Sequence, residues 1–282
     1  MSGINLISRY LFNDLPDDQK KIDEFGHKAY RLSLAKKWQF PVPDTVFLSG
    51  ELVKEIYEKK KIPAEILSYF KNKLLAIRPS PVVGHFTKSE QFLHIGLDNQ
   101  SFDVLIKRVG VTNASAIYIS FLRVFALTIY NLDLENCDEL RRLLEISKSE
   151  KSVSRESVFN KISRIKQLIS LETGSVFPRS TAEQLIAVIN SIYKSWISPT
   201  QKILREVSGR NSEESIPIIL QEMHSGITGS PVEYFKVKNF DDKTGRSSLK
   251  CYRLDNKSNH SSYMHINTKE VNKLFEENSL EN

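Results

Sequence analysis

Residues 26–43 read Gly-His-Lys-Ala-Tyr-Arg-Leu-Ser-Leu-Ala-Lys-Lys-Trp-Gln-Phe-Pro-Val-Pro. Nothing after the glycine breaks a helix until Pro41 and Pro43. Each proline lacks a backbone N–H and pushes its predecessor out of the helical region, so the run must stop there. The β-branched and aromatic stretch Thr45-Val-Phe-Leu-Ser49 follows at once and reads as a strand. A helix delivered directly into a strand constrains the chain toward layered α/β packing. Lys28 lies one residue inside that helix start. A glycine ahead of a helix lets backbone N–H groups and a nearby ammonium converge on one point, an arrangement suited to a phosphate.

The same alternation continues. Strands are expected at 45–49, 74–78 and 91–95, with helices near 27–38, 50–60, 63–72 and 101–109, so residues 1–110 read as an α/β lobe. Residues 111–195 read as a helical subdomain. Ile117, Phe121, Leu122, Phe125 and Ile129 form a helical stripe, further helices are expected near 136–147 and 154–171, and Ser180-Thr-Ala-Glu183 is a capping box. Residues 196–282 read as a second, shortened α/β lobe. Its sheet would contain Ile216–Met223 and a hairpin of 231–237 with 247–254 turning at Asp241 to Gly245, followed by a polar loop at 256–262.

Composition bounds the function. Forty basic against 34 acidic residues leave a net charge of +6, which would suit an anionic ligand, but no nucleic-acid-binding motif accompanies the basic runs. Cys137 and Cys251 are far apart and the six histidines are scattered, so neither a disulfide framework nor a zinc site is expected. The N-terminus lacks the basic start and long apolar core of a signal peptide, and no uninterrupted run of about 18 apolar residues occurs. No membrane and a reducing, cytoplasmic location are the expectation. Gly-x-Ser-x-Gly and protein-kinase signatures are absent.

Ordered landmarks then resemble one family. Lys28 through Pro41-Val-Pro43, Arg78 at a strand end, Ile95-Gly-Leu-Asp-Asn99, Tyr118-Ile-Ser-Phe-Leu-Arg-Val-Phe125, Phe177-Pro178, Ile192-Tyr-Lys-Ser-Trp-Ile-Ser-Pro199 and Leu220-Gln-Glu-Met223 occur in sequence. They resemble the N-terminal nucleotide-binding domain of pyruvate phosphate dikinase and its relative phosphoenolpyruvate synthase, an ATP-grasp fold. The resemblance implies an α/β (α+β), ATP-grasp-like architecture of two α/β lobes with a helical middle. It implies ATP and Mg²⁺ as ligands, with Lys28 and Arg78 on the phosphates and Gln221, Glu222 and Met223 as an adenine hinge acting through backbone groups.

Departures from the family qualify that expectation. The family's glycine-rich loop after the arginine, which carries a second arginine, is here Pro79-Ser-Pro-Val-Val-Gly-His-Phe-Thr-Lys-Ser-Glu90. Prolines remove donors, and Val82 stands where the family has a second arginine. The tail shows no clear pair of metal carboxylates, with Asp241, Asp242 and Glu222 as the substitutes at hand. No Thr-Cys-His sequence of the family's phosphohistidine domain occurs, so that domain is expected to be absent. The chain is therefore expected to be inactive as a dikinase alone, with a partner protein supplying the phosphate acceptor or missing domain. The alternative is a non-catalytic pseudoenzyme scaffold in regulation or protein interaction.

Overall fold

A computed structural model describes residues 19–37, 42–82, 91–145, 154–211, 213–223, 233–241, 246–254 and 261–267. The chain divides into two compact units, Met1–His224 and Ser225–Asn282.

The first unit mixes helices with one antiparallel sheet, as expected of an α/β (α+β) chain. Its elements are α1 (Gln19–Lys37), β1 (Thr45–Leu48), α2 (Gly50–Lys59), α3 (Ala64–Tyr69), β2 (Leu75–Pro79), β3 (Phe92–Ile95) and α4 (Asn99–Val109). Then follow α5 (Val111–Val124), continued by a π-helical turn at Phe125–Ile129, α6 (Asp138–Leu144), α7 (Arg155–Thr173), α8 (Thr181–Trp196), α9 (Pro199–Val207) and β4 (Ile218–Glu222). The sheet runs β1-β4-β2-β3, each strand antiparallel to its neighbours.

Strands 45–48 and 75–79 thus share one sheet, but β4 lies between them. This corrects the expectation that Ile216–Met223 belongs to the sheet of a separate C-terminal lobe. Ile218, Ile219 and Leu220 are all buried, so the strand is apolar on both faces and suits a sheet interior. That composition says nothing of which sheet it enters.

The two faces of the sheet differ. Val46, Leu48, Leu75, Ile77, Ile218 and Leu220 point into the main core with residues of α2 to α8. Phe47 and Ile219 point the other way and meet Phe25 and Ala29 of α1 in a separate small cluster. The main core is rich in aromatics. Phe121 and Phe125 lie 4.8 Å apart by ring centroid, and Phe125 and Phe177 5.1 Å.

Val111–Ile129 is long and apolar enough to cross a bilayer by length and composition, although Thr112, Asn113, Ser115, Ser120, Arg123 and Thr128 break it into short apolar runs. Tyr118, Ile119, Phe121, Leu122, Phe125 and Ala126 are buried in the core, so in this fold it is a core helix. The capping box at α8 forms as expected: Glu183 N–H donates to Ser180 Oγ at 3.2 Å and Ser180 N–H to Glu183 Oε2 at 3.0 Å.

The second unit contributes an antiparallel sheet β5 (Glu233–Asp241), β6 (Arg246–Leu254) and β7 (Ser261–Asn267) in that order. The expected hairpin is β5 with β6, extended by the unforeseen strand β7. Asp242 and most of the 256–262 loop lie outside the described residues.

Candidate anion site at the end of strand β2

Gly26 interrupts α1 with φ 79° and ψ 166°, and the helix resumes at His27. The glycine is needed for space as well as for conformation. A Cβ built there would lie 1.7 Å from the backbone oxygen of Ser80. The first turn after the break therefore rests on the end of β2, where Ala29 N–H donates to Ser80 Oγ at 3.3 Å and Lys28 Nζ donates to Pro79 O at 3.0 Å. Ser80 is fully buried, and its N–H donates to Pro217 O at 2.9 Å just ahead of β4.

This docking brings Lys28 beside Arg78, 50 positions later in the chain. Burial lowers the Lys28 pKa from its ordinary value, and the Arg78 guanidinium charge lowers it further. Arg78 Nη1 donates to Gln221 Oε1 at 3.4 Å, while its Nε is buried without an acceptor. Among the described residues Arg78 makes no ion pair. Two part-buried cations, one in the first turn of the resumed helix and one near the end of β2, make a locally electropositive point whose natural complement is an oxyanion.

Gln221 joins them by register. Its Cα partners are Thr45 on β1 and Ala76 on β2, while Arg78 is opposite Ile219. Strand side chains alternate, so Thr45, Gln221 and Arg78 share the face carrying Phe47 and Ile219. Gln221 Nε2 donates to Thr45 Oγ1 at 3.0 Å, and Thr45 Oγ1 donates to Pro43 O at 2.7 Å.

Glu222 and Met223 do not join this group. Glu222 is on the opposite face, where Lys73 Nζ lies 2.8 Å from its Oε2 and 2.5 Å from Asp44 Oδ2. The bond from Lys73 is the largest of the causes holding the Asp44 carboxyl below its usual range, and the same contact, followed by that to Glu222, raises the Lys73 pKa. Met223 Sδ accepts from His94 N–H at 3.0 Å. The backbone N–H groups of Glu222 and Met223 donate to Asp44 O and Leu74 O, each at 2.8 Å. An adenine hinge using those two donors is thus at odds with the sheet, which already occupies both.

Thr45 and Ser80 are site neighbours that sequence reasoning missed. A threonine at a strand start and a serine between prolines carry no signal of their own. Among the described residues no group of three or more His, Cys, Asp or Glu could hold a metal ion.

No protein-family model matches the chain. Comparison with curated proteins finds pyruvate, phosphate dikinase of Giardia intestinalis, 22% identical over 279 residues that cover 88% of this chain and 30% of that protein. It also finds the chloroplastic pyruvate, phosphate dikinase of Flaveria trinervia, 22% identical over 180 residues, 62% of this chain and 19% of that protein. The chain is distantly similar to pyruvate phosphate dikinase. It spans less than a third of the length of these relatives.

Proposed function

We propose that the first unit is a nucleotide-binding module resembling the N-terminal, ATP-grasp domain of pyruvate phosphate dikinase, with Lys28 and Arg78 on the phosphates of ATP. The observation that carries this reading is their convergence: a lysine and an arginine from distant segments meet where Arg78 has an unsatisfied donor and no ion pair among the described residues. Phosphoryl transfer draws most of its acceleration from positioning and charge neutralisation, so cations placed this way serve binding whether or not turnover survives. The similarity to a dikinase over most of the chain supports the same class.

A Mg²⁺ ion would accompany ATP, and the carboxylates nearest the sheet fit it poorly. Asp44 and Glu222 both converge on the Lys73 ammonium, which already supplies a positive charge at that place. Catalysis in the isolated chain is therefore weak or lost, and any phosphotransfer occurs in trans, to an acceptor on a partner protein.

A pseudoenzyme scaffold is the second reading. It is favoured by Lys28 Nζ being bonded to Pro79 O, a contact that helps pin α1 to the sheet and gives the lysine a structural use. Calorimetric titration with ATP, with and without Mg²⁺, separates the two. Binding that weakens in Arg78→Ala supports the module, and absence of binding supports the scaffold.

A further inference from the structure

The polar side chains running across β1, β4 and β2 have a direction. Thr45 Oγ1 gives its single proton to Pro43 O at 2.7 Å, so toward Gln221 it can only accept. Gln221 Nε2 donates to it at 3.0 Å. With the amide nitrogen turned toward β1, the amide oxygen is turned toward β2, where Arg78 Nη1 donates to it at 3.4 Å. The strand order β1-β4-β2 sets the three side chains in a row on one face.

The tether is neutral, and that has a consequence. A carboxylate at position 221 would form an ion pair with the guanidinium and cancel its charge. Gln221 restrains Arg78 and leaves it cationic. Nothing else among the described residues forms an ion pair with it.

We propose that Gln221 is a positioning residue, oriented by Thr45, which fixes the Arg78 guanidinium beside Lys28 while leaving the guanidinium charge uncompensated for an oxyanion. This gives Gln221 a side-chain role on the phosphate side of the site. It rests on the nucleotide reading given above.

The test uses the full chain, the variants Gln221→Glu and Thr45→Val, and ATP and inorganic phosphate as probes. A second readout is the pH dependence of amine labelling at Lys28, followed by peptide mass spectrometry. Gln221→Glu pairs with Arg78, so its melting temperature should hold or rise while ATP affinity falls by about tenfold or more. Its Lys28 labelling midpoint should move up, because a paired guanidinium no longer disfavours the neighbouring ammonium. Thr45→Val frees the amide to turn and should weaken ATP binding by roughly 3- to 10-fold, with the Lys28 midpoint unmoved.

ATP affinity in Gln221→Glu within about twofold of wild type, against the tenfold loss expected of a quenched charged contact, overturns the proposal. An unmoved Lys28 midpoint in that variant does the same. Should the wild-type chain bind neither ATP nor phosphate, the nucleotide reading fails, and the Lys28 midpoint alone then decides whether Gln221 keeps Arg78 uncompensated.

Discussion

Gly26→Ala separates two reasons for a glycine. The backbone at Gly26, φ 79° and ψ 166°, falls in a region that side-chain-bearing residues essentially avoid, and forcing alanine into it costs about 1–3 kcal/mol. The added Cβ would also sit 1.7 Å from Ser80 O, a backbone atom that cannot swing aside. The alternative is for α1 to lift from the sheet. That forfeits the burial of Phe25, about 1.5–3 kcal/mol, the bond from Ala29 to Ser80, about 0.5–1.5 kcal/mol, and the bond from the Lys28 ammonium to Pro79, about 1.5–3 kcal/mol. Undocking therefore caps the penalty at roughly 3.5–7.5 kcal/mol.

Gly110→Ala is the control. Gly110 has nearly the same backbone, φ 81° and ψ 160°, but a Cβ there would meet nothing within 4 Å. It should cost only the conformational term, about 1–3 kcal/mol. Hydrogen exchange followed by mass spectrometry should show Gly26→Ala deprotecting residues 27–37 while α8 and the buried strands stay protected, because the main core does not include α1. Equal destabilisation of the two variants, or wild-type protection of α1 in Gly26→Ala, would refute the close approach to Ser80 as the reason for the glycine.

Three further outcomes are expected. Arg78→Ala should weaken ATP binding by roughly 1.5–3 kcal/mol, the range for a hydrogen bond to a charged group, as read by calorimetry. Lys73→Met should lower the melting temperature at pH 7 and lose that effect in acid: the Asp44 carboxyl titrates below its ordinary 3.8 when folded, so the contact stabilises above that value and fades as pH falls through the depressed one. Melts of both proteins at pH 7 and pH 2.5 check this, and a difference that persists undiminished in acid contradicts it. The isolated chain should form no AMP and inorganic phosphate from ATP with pyruvate, and steady turnover abolished by Lys28→Ala would contradict this.

Local signals made most elements readable. The run Thr45 to Ser49 and the run Leu74 to Arg78 are strand-like on their own chemistry, and the Ser180–Glu183 box announces its helix in four residues. Ser198-Pro199 likewise marks the start of α9, since serine precedes it and proline takes its first position. The place of β4 was not readable, because a strand apolar on both faces declares itself interior without naming its neighbours. At the site, Lys28 was marked by the glycine ahead of its helix and Arg78 by the resemblance, and the sheet explains their meeting. Gln221, Glu222 and Met223 looked like one unit in the chain, yet strand alternation puts Gln221 and Glu222 on opposite faces. Gly26 was visible as a turn, but the contact that requires it, Ser80 O, is tertiary.

The most direct test of the account is a double-mutant cycle of ATP binding by calorimetry, comparing the wild-type chain, Lys28→Ala, Arg78→Ala and the double variant. If the two cations share one phosphate site, each single change weakens binding and the double variant loses less than the two losses added together, with a coupling of about 0.5–3 kcal/mol. Additive losses would place the two side chains on separate ligands or separate sites. Wild-type affinity in either single variant would contradict the account outright.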